Sequence, residues 1–341
     1  MSTLLIFLLT DVGFCSYEIG RKLGEGGFGS VYAGIRLKDG LEVALKLADN
    51  VGIDWIDIED NPEPVPQEIG LLILANKGPR VPQIIQLLDW DKEPERYIMV
   101  LEWPTPCENL IEFLYRHNGI IEENIAKVIM HQATLAAQTC CQRGVFHRDI
   151  KLENLLINPH TLDVKLIDFG CGEILTDAGY TSFAGTKPYC PPEYDLNGEY
   201  HGEPATVWSL GILMFALLCG QFPESEDLDE LNDNIWAKDG LSQSKIFISA
   251  KDTYNSKSYK IEQSNTNGSV GNAVIFRSFS LDSVLIKESV KFKVIIGLLF
   301  SFFTECCELL CALLQRNPEK RLELDIVCLH NWFKYFIYSF N

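Results

Sequence analysis

A glycine-rich segment near the N-terminus has the spacing of a phosphate-binding loop. Residues 24–31 fit G-x-G-x-x-G-x-V, and glycines at these positions let backbone amides approach phosphate oxygens that side chains would block. The same pattern opens the dinucleotide-binding unit of many oxidoreductases, but there a helix follows the last glycine. Here residues 30–33 are of β type, which argues against that class. A plain glycine turn is the remaining alternative at this point.

A lysine and a glutamate follow this loop in an order that suits nucleotide binding. Lys46 ends the β-type run 43–46, and Glu68 lies in a segment with apolar residues at helical spacing. The lysine would face the phosphates of a nucleotide, and a buried ammonium needs a partner such as Glu68. Taken separately, Lys46 is more simply explained as a solvated edge-strand lysine and Glu68 as an exposed helix charge, so the inference depends on their order after the loop.

The most specific string is His147-Arg-Asp-Ile-Lys-Leu-Glu-Asn154, which matches H-R-D-x-x-x-x-N at all four fixed positions. A second carboxylate follows in Asp168-Phe-Gly170, directly after a β-type run. With the glycine loop, lysine, glutamate, HRD, asparagine and DFG in this order, the chain resembles the eukaryotic protein kinases.

The resemblance implies a role for each matching residue of the catalytic set. Asp149 would accept or orient the proton of the substrate hydroxyl, and Lys151 would neutralise the transferred phosphoryl group. Asn154 and Asp168 would hold Mg²⁺, because hard cations prefer oxygen ligands. The lysine and glutamate described above would hold the phosphates of ATP.

The resemblance also implies a structural ion pair far from the chemistry. Glu193 ends the string Pro191-Pro-Glu193, where the family has A-P-E, and would pair with Arg321. Breaking a buried pair of this kind costs about 3–5 kcal/mol. A solvated arginine at a helix end is the alternative for Arg321.

Several strings narrow the resemblance to the Pim serine/threonine kinases. They are residues 26–32, 85–90, 101–106 and 207–212, and the likeness covers residues 17–242 and 305–333. Thr206 stands where most kinases have an aspartate that braces the catalytic loop, and Pim-type sequences depart there as well. The activation segment 171–191 contains several hydroxyl side chains, and the resemblance suggests that it is ordered without phosphorylation.

The implied fold is α+β and two-lobed, with a small β-rich N-lobe carrying one main helix and a larger, mainly helical C-lobe. A chain of 341 residues exceeds the usual limit of about 250–300 residues for a single core. Prolines at 104 and 106 cannot continue a central strand, so the lobe boundary is expected there. The predicted divisions are a leader outside the fold (1–16), the N-lobe (17–102), the hinge (103–106), the C-lobe (107–242), an atypical insertion (243–304) and the end of the C-lobe (305–341).

Hydrophobic patterns predict the individual elements. The β-type runs are residues 30–33, 41–46 and 97–101, and the segments with helical spacing are 66–74, 110–116, 122–142 and 207–218. With 47% hydrophobic residues, the chain has enough apolar material to form a core.

The segment 243–304 departs from the rest of the chain. It is several times longer than the usual ceiling of about 12–15 residues for a connection, so it is either a functional insertion or not native structure. A further hypothesis is a translated intron: residues 244–245 are compatible with a splice-donor string and 300–305 with a pyrimidine tract and acceptor. Residues 1–16 would have the same origin, and transcript sequencing across both positions tests this.

The hinge predicts an unusual mode of adenine binding. Pro104 has no amide hydrogen and cannot donate the hydrogen bond that adenine commonly receives there, so ATP is expected to use the carbonyl of Glu102. The expected apolar contacts are Leu23, Val31, Ala44, Leu156 and Ile167. The remaining residues of the predicted nucleotide site are Gly24, Glu25, Gly26, Gly27, Phe28, Gly29, Lys46, Leu101 and Asp168.

The charge balance favours cationic partners. A formal net charge of −18 argues against non-specific binding to nucleic acid or to an anionic membrane. Glu112 and Glu153, with Asp227, Asp229 and Glu230, are candidates for binding arginine-rich substrates, because guanidinium groups pair with carboxylates. Ordinary solvated acids are the equally weighted alternative. Thr186 fits the family's substrate-facing threonine.

The cysteines and apolar runs indicate the compartment. Eleven cysteines fall irregularly and without a pair of C-x-x-C units, which favours reduced thiols over disulfides or zinc. The apolar runs 4–9 and 294–303 are too short to span a bilayer. The expected compartment is therefore the cytoplasm or the nucleus. The protein is also expected to be a monomer.

Together these features predict an ATP- and Mg²⁺-dependent, Pim-like protein serine/threonine kinase that acts on basic segments of protein substrates. The alternative is a catalytically impaired pseudokinase or scaffold, if the segment 243–304 disrupts the helical lobe.

Overall fold

The computed structural model describes residues 8–27, 29–59, 61–233, 236 and 305–337. The predicted insertion 243–304 and the predicted site residue Phe28 therefore lie outside the described residues.

A six-stranded antiparallel sheet forms the N-lobe, in the spatial order β1-β2-β3-β4-β8-β7. In chain order the strands are β1 (Leu8–Val12), β2 (Cys15–Gly26), β3 (Gly29–Arg36), β4 (Glu42–Asp49), β5 (Trp55–Ile56), β6 (Val65–Pro66), β7 (Leu87–Lys92) and β8 (Arg96–Glu102), with β5 and β6 paired apart from the sheet. The strands predicted at 30–33, 41–46 and 97–101 lie within β3, β4 and β8, apart from residue 41, which precedes β4.

Strand β4 shows how the sheet separates a core from a cleft. Successive side chains of a strand point to opposite faces. Val43 and Leu45 are fully buried in a cluster with Tyr17, whereas Ala44 and Lys46 face the opposite side and line a large cleft. The alternation therefore places a lysine at the cleft wall.

Residues 8–16 belong to the sheet, which corrects the expectation that the leader 1–16 stands outside the fold. Strand β1 pairs with β2 from Leu8↔Ile19 to Val12↔Cys15, and Val12 is fully buried in the N-lobe core. The amide of Gly13, in the turn after β1, donates to Asp91 in β7 at 3.2 Å. The two edges of the curled sheet therefore meet. Residues 1–7 lie outside the described part.

A single long helix packs beside the sheet, as predicted. Helix α1 (Gln67–Asn76) begins directly after Pro66, its N-cap residue, and proline fits this position because the first amides of a helix need no intrahelical partner. Its buried residues include Glu68, Ile69 and Leu72. The helix thus brings a carboxylate to the inner face of the sheet.

The C-lobe is mainly helical, which confirms the two-lobed α+β fold. Its described helices are α2 (Leu110–Arg116), α3 (Glu123–Gln142), α4 (Pro192–Asn197), α5 (Gly202–Cys219), α6 (Ser225–Asn232), α7 (305–313) and α8 (Asn331–Ile337). Helix α2 has the predicted bounds and α3 begins one residue later than predicted. Helix α5 begins at Gly202 rather than at residue 207, and Pro204 lies in its first turn.

Helix α5 is the central helix of this lobe. Of the helices in the described ranges, it is the one long and apolar enough to cross a membrane, and 89% of that segment is buried inside the protein. A helix that is apolar on every side is typical of a protein core as well as of a membrane. Its packing against α3 and α7 accounts for its hydropathy.

Short strands position the loops between the lobes. They are β9 (Glu108–Asn109), β10 (Val145–Phe146), β11 (Leu155–Ile157), β12 (Val164–Leu166) and β13 (Glu173–Ile174), paired as β12-β11-β9 and β10-β13. The loop with Asp149 lies between β10 and β11. Asp149 follows β10 by three residues, and Asp168 follows β12 by two.

The helices on either side of residues 243–304 contact each other. Cys311 Sγ in α7 lies 3.0 Å from the carbonyl oxygen of Leu231 in α6. Arg316 Nη1, after α7, lies 2.6 Å from Asp229 Oδ1. The described residues 225–233 and 305–316 therefore pack against each other in the C-lobe.

The role of β1 is testable with Val12→Ala. Loss of two buried methyl groups from the N-lobe core should lower the free energy of unfolding by about 1–3 kcal/mol. Urea denaturation followed by tryptophan fluorescence measures this. Phe14→Ala, at a fully exposed position of the same hairpin, should change it by less than about 0.5 kcal/mol. Equal effects of the two substitutions would contradict the packing of β1.

Candidate active site

A buried ion triad lies at the back of the cleft. Lys46 Nζ lies 2.5 Å from Glu68 Oε1 and 2.8 Å from Asp168 Oδ1. The hydroxyl of Tyr97 donates to the second oxygen of Glu68 at 3.1 Å. The structure thus brings together three predicted site residues from β4, α1 and the segment after β12.

Burial and charge pairing together set the pKa values of the three residues in this triad. Burial by itself would lower the pKa of Lys46, but the carboxylates of Glu68 and Asp168 hold it above its ordinary value. Burial would raise the pKa of Asp168, and the neighbouring Lys46 ammonium outweighs this and lowers it. For Glu68, burial dominates and raises the pKa. Lys46 and Asp168 are therefore charged at neutral pH.

The backbone around Asp168 is held in an unusual conformation. Its φ of 62° lies in the left-handed region, which non-glycine residues adopt at a cost of about 1–3 kcal/mol. Phe169 is buried, and its ring meets that of His147 edge to face at a centroid distance of 4.7 Å. His147 Nε2 lies 3.1 Å from the carbonyl oxygen of Ile167. This packing fixes the Asp168 side chain in the cleft.

The catalytic-loop residues form a second cluster around Asp149. Its Oδ1 accepts hydrogen bonds from the Thr186 hydroxyl at 2.7 Å and the Thr186 amide at 2.9 Å. Its Oδ2 accepts from Asn154 Nδ2 at 3.0 Å and lies 2.7 Å from Lys151 Nζ. Lys151 Nζ also donates to the Thr186 hydroxyl at 2.7 Å. A hydroxyl group therefore already lies between the predicted base and the predicted lysine.

The cleft between the lobes has a volume of about 580 Å³. Thirteen of the predicted nucleotide-binding residues line it: Leu23, Gly24, Glu25, Gly26, Gly29, Val31, Ala44, Lys46, Leu101, Glu102, Leu156, Ile167 and Asp168. Gly27 is not among its lining residues. The sequence prediction missed others, chiefly Arg21, Leu72, Ile85, Met99, Trp103 and Cys107.

The glycine loop is shaped as a cradle for phosphate. A Cβ atom on Gly24 or Gly26 would meet nothing within 4 Å, so these positions leave open space for a ligand at the cleft wall. Gly29 has a φ of 128°, and a Cβ there would collide with the carbonyl oxygen of Leu47. Only glycine fits that position without strain.

Two of the predicted substrate-binding acids lie at this cleft. Glu112 and Glu153 are exposed residues of its lining, and Glu108, which the sequence analysis did not select, joins them. Asp229 instead pairs with Arg316 at 2.6 Å, and Asp227 caps the start of α6.

Two features hold the activation segment in place. Arg148 Nη2 donates to the carbonyl oxygen of Ser182 at 2.7 Å. Tyr180 and Tyr200 form a reciprocal backbone bridge.

The Thr206 hydroxyl donates to the carbonyl oxygen of Gly202 at 2.8 Å, within its own helix.

The predicted pair Glu193–Arg321 is present and fully buried. Arg321 Nη1 and Nη2 each donate to one oxygen of Glu193 at 2.8 Å. The exposed fractions of the two side chains are 0% for Arg321 and 5% for Glu193. Arg321 also donates to the carbonyl oxygens of Pro204 and Gln315, so its charge is well compensated.

The substitution Arg321→Ala tests this pair. It would leave the Glu193 carboxylate buried and unpaired, so the free energy of unfolding should fall by about 3–5 kcal/mol. Chemical denaturation measures the loss. Arg316→Ala is the matched control, because its pair with Asp229 is about half exposed and should contribute at most about 1 kcal/mol. If the two substitutions lowered the free energy of unfolding equally, burial would not set the contribution of these ion pairs.

Comparison with known proteins agrees with this geometry. The protein kinase domain model matches residues 17–333. The serine/threonine-protein kinase pim-2 of Danio rerio is 42% identical over 219 residues, which are 62% of this chain and 70% of the relative.

Two other relatives match a similar share of this chain. The serine/threonine-protein kinase prk-2 of Caenorhabditis elegans is 39% identical over 215 residues, 63% of this chain and 47% of the relative. The carbon catabolite-derepressing protein kinase of Candida glabrata is 33% identical over 222 residues, 64% of this chain and 34% of the relative. The chain thus matches less than half the length of these two proteins. The family match over residues 17–333, with Lys46, Glu68, Asn154 and Asp168 lining one cleft, shows that this chain belongs to the serine/threonine protein kinase family.

Proposed function

We propose that this kinase is active and Pim-like, and that it transfers the γ-phosphoryl group of ATP to serine or threonine in basic segments of proteins. The main support is the charge arrangement of the cleft. Lys46, paired with Glu68 and Asp168, lines the cleft. Asp149, paired with Lys151, is hydrogen-bonded to the cleft residue Asn154. In phosphoryl transfer, such positioning and charge stabilisation supply most of the catalysis.

The residues present fit ATP and Mg²⁺. The open space over Gly24 and Gly26 suits the phosphates, and Lys46 supplies a fixed positive charge beside them. Asn154 uses its amide nitrogen on Asp149, so its oxygen and the Asp168 carboxylate would hold Mg²⁺. When bound, the metal would neutralise phosphate charge.

Asp149 would orient the hydroxyl of the substrate. In the structure the Thr186 hydroxyl donates to Asp149 and accepts from Lys151. A substrate serine brought to the same carboxylate would donate its proton there. The Lys151 ammonium would remain close to the transferred group and offset its negative charge.

The hinge supports adenine binding through one backbone group. Pro104 lines the cleft and has no amide hydrogen, so adenine would donate to the Glu102 carbonyl and rest on apolar residues such as Ala44 and Leu156. One neutral hydrogen bond is worth about 0.5–1.5 kcal/mol. The affinity for ATP should therefore be somewhat lower than with two hinge bonds.

Acidic residues at the cleft mouth support basic substrates. Glu112 and Glu153 are exposed and line the cleft, and the formal net charge is −18. Arginine side chains pair well with such carboxylates. The same charge disfavours nucleic acid and anionic membranes as partners.

We also propose that the protein works as a monomer in the cytoplasm or nucleus. None of the eleven cysteines, all of which lie in the described part of the chain, forms a disulfide, which suits a reducing compartment.

The second candidate is a pseudokinase or scaffold whose C-lobe is impaired by residues 243–304. The contacts of Cys311 with Leu231 and of Arg316 with Asp229 favour an intact lobe on either side of this segment. Whether the segment is an insertion or a translated intron stays a hypothesis about the gene.

An ADP-release assay with Mg²⁺-ATP and a basic serine peptide tests the proposed activity. The wild-type chain should turn over, and Asp168→Asn should reduce kcat by at least about 100-fold, because it removes a charge that acts on the phosphates. Asp195→Asn, at an exposed ion pair, is the matched control and should retain wild-type activity.

Two outcomes of this assay would change the proposal. Equal phosphorylation by the wild-type chain and Asp168→Asn would refute the mechanism. A wild-type chain that is inactive, with activity gained on removal of residues 243–304, would identify the impaired kinase instead.

The acidic residues at the mouth give a separate prediction for substrate choice. Glu112→Gln and Glu153→Gln should each raise KM for an arginine-rich peptide by about 2–5-fold, since exposed ion pairs are worth up to about 1 kcal/mol. The KM for a neutral peptide should not change. Glu319→Gln, an exposed acid on the C-lobe, is the control. If the KM for the arginine-rich peptide were the same in all variants, these acids would be ordinary surface charges.

A further inference from the structure

Glu102 is the last residue of β8 and directly precedes the hinge. Its side chain is held by three segments of the chain. Its Oε1 accepts from the amide of Gln86 at 3.0 Å and lies 2.9 Å from Lys165 Nζ. Its Oε2 lies 3.1 Å from Arg80 Nη2. The exposed fraction is 17% for the Glu102 side chain and 14% for that of Lys165, against 66% for Arg80. The Glu102–Lys165 pair is thus the shielded part of this network.

The backbone of Glu102 is fixed at the same place. Its amide donates to the carbonyl oxygen of Gln86 at 3.0 Å, so the backbone and the carboxylate of Glu102 bind one residue of the neighbouring segment. This double attachment anchors the peptide group that precedes Glu102 and the Glu102 side chain, and thereby the Cα atom between them. The peptide group that follows this Cα carries the proposed adenine acceptor, so the anchoring limits how far that carbonyl can be displaced.

Lys165 connects the hinge to the strand that leads to the phosphate end of the cleft. It lies in β12, three residues before Asp168. Its ammonium also donates to the carbonyl oxygen of Pro82. Leu166, next to it, exchanges backbone hydrogen bonds with Gln83 and Ile85 at 2.8 and 3.1 Å. The Glu102–Lys165 ion pair therefore joins the residue whose carbonyl would accept from adenine to the strand that leads to Asp168.

We propose that Glu102 and Lys165 are positioning residues that fix the hinge carbonyl relative to the phosphate-binding end of the cleft. This inference rests on the proposed binding of ATP through the Glu102 carbonyl. The pair touches neither the phosphates nor the reacting hydroxyl, so it sets the affinity for nucleotide and leaves the chemical step unchanged. In a hinge with proline at position 104 there is no second backbone bond from that residue to compensate for a misplaced carbonyl.

The affinity for nucleotide, measured by titration of the full chain with a fluorescent N-methylanthraniloyl ADP, tests the inference. Glu102→Gln and Lys165→Met should each raise Kd by about 3–10-fold, in keeping with loss of a hydrogen bond to a charged group. For Lys165→Met, kcat at saturating ATP should stay within about twofold of wild type, the pattern expected when only ground-state binding is lost. Lys165→Arg keeps the charge and should restore Kd.

Two controls separate positioning from general stability. The double variant should bind no more weakly than the weaker single variant, because the residues act as one pair. Lys77→Met removes a lysine whose partner Glu59 is exposed, and its Kd should equal that of wild type. Melting temperatures of all variants are recorded alongside.

The outcomes distinguish this inference from the proposed function. A wild-type chain that binds no nucleotide would refute the proposed function. A wild-type chain that binds and turns over ATP, with unchanged Kd in Glu102→Gln and Lys165→Met, would overturn the positioning role alone. Parallel losses in Kd, kcat and melting temperature that Lys165→Arg does not restore would assign the pair a structural role and overturn the inference as well.

Discussion

The buried ammonium of Lys46 is the constraint on which the arrangement of the site depends. A charge removed from water needs compensating charges, and removal of one partner of a buried pair is strongly destabilising. Lys46 has Glu68 on one side and Asp168 on the other. These carboxylates come from α1 and from the segment after β12, so the charge is compensated only when three separate elements are in place. The requirement couples the position of α1 to that of the C-lobe.

The Arg321–Glu193 pair and the Lys46 triad differ in exposure, and this difference matches their uses. Arg321 and Glu193 are closed off, with 0% and 5% of their side chains exposed, and every contact of the arginine is internal. In the Lys46 triad, Glu68 is equally buried, but 35% of the Asp168 side chain is exposed. One pair therefore stabilises the helical lobe, whereas the other has a carboxylate that faces the cleft.

The sequence predicted the site better than it predicted the edges of the fold. Local strings such as residues 147–154 identify a family, so the clustering of Lys46, Glu68 and Asp168 was expected although the residues are far apart in the chain. Helix α2 was also expected at 110–116 from its apolar spacing, and in the structure Asn109 caps it. Strand β1 was missed, because its five residues give little periodicity and the burial of Val12 depends on curling of the whole sheet. The network of Glu102 was missed because no local pattern indicates that Gln86, Lys165 and Arg80 meet Glu102 across separate segments.

Glu102 shows why a side chain outside the catalytic motifs can still matter at such a site. The proposed adenine acceptor is a backbone carbonyl, which every residue type has, so adenine binding alone sets no requirement on the side chain at position 102. The orientation of that backbone, however, depends on what holds the side chain, and here the partners are Gln86 and Lys165. Lys165 lies in β12, three residues before Asp168, so the contact that orients the hinge is made by the strand that leads to the carboxylate at the other end of the cleft. The two ends of a bound nucleotide would then be aligned by one short strand, and the Glu102–Lys165 pair would set where adenine lies relative to the phosphates.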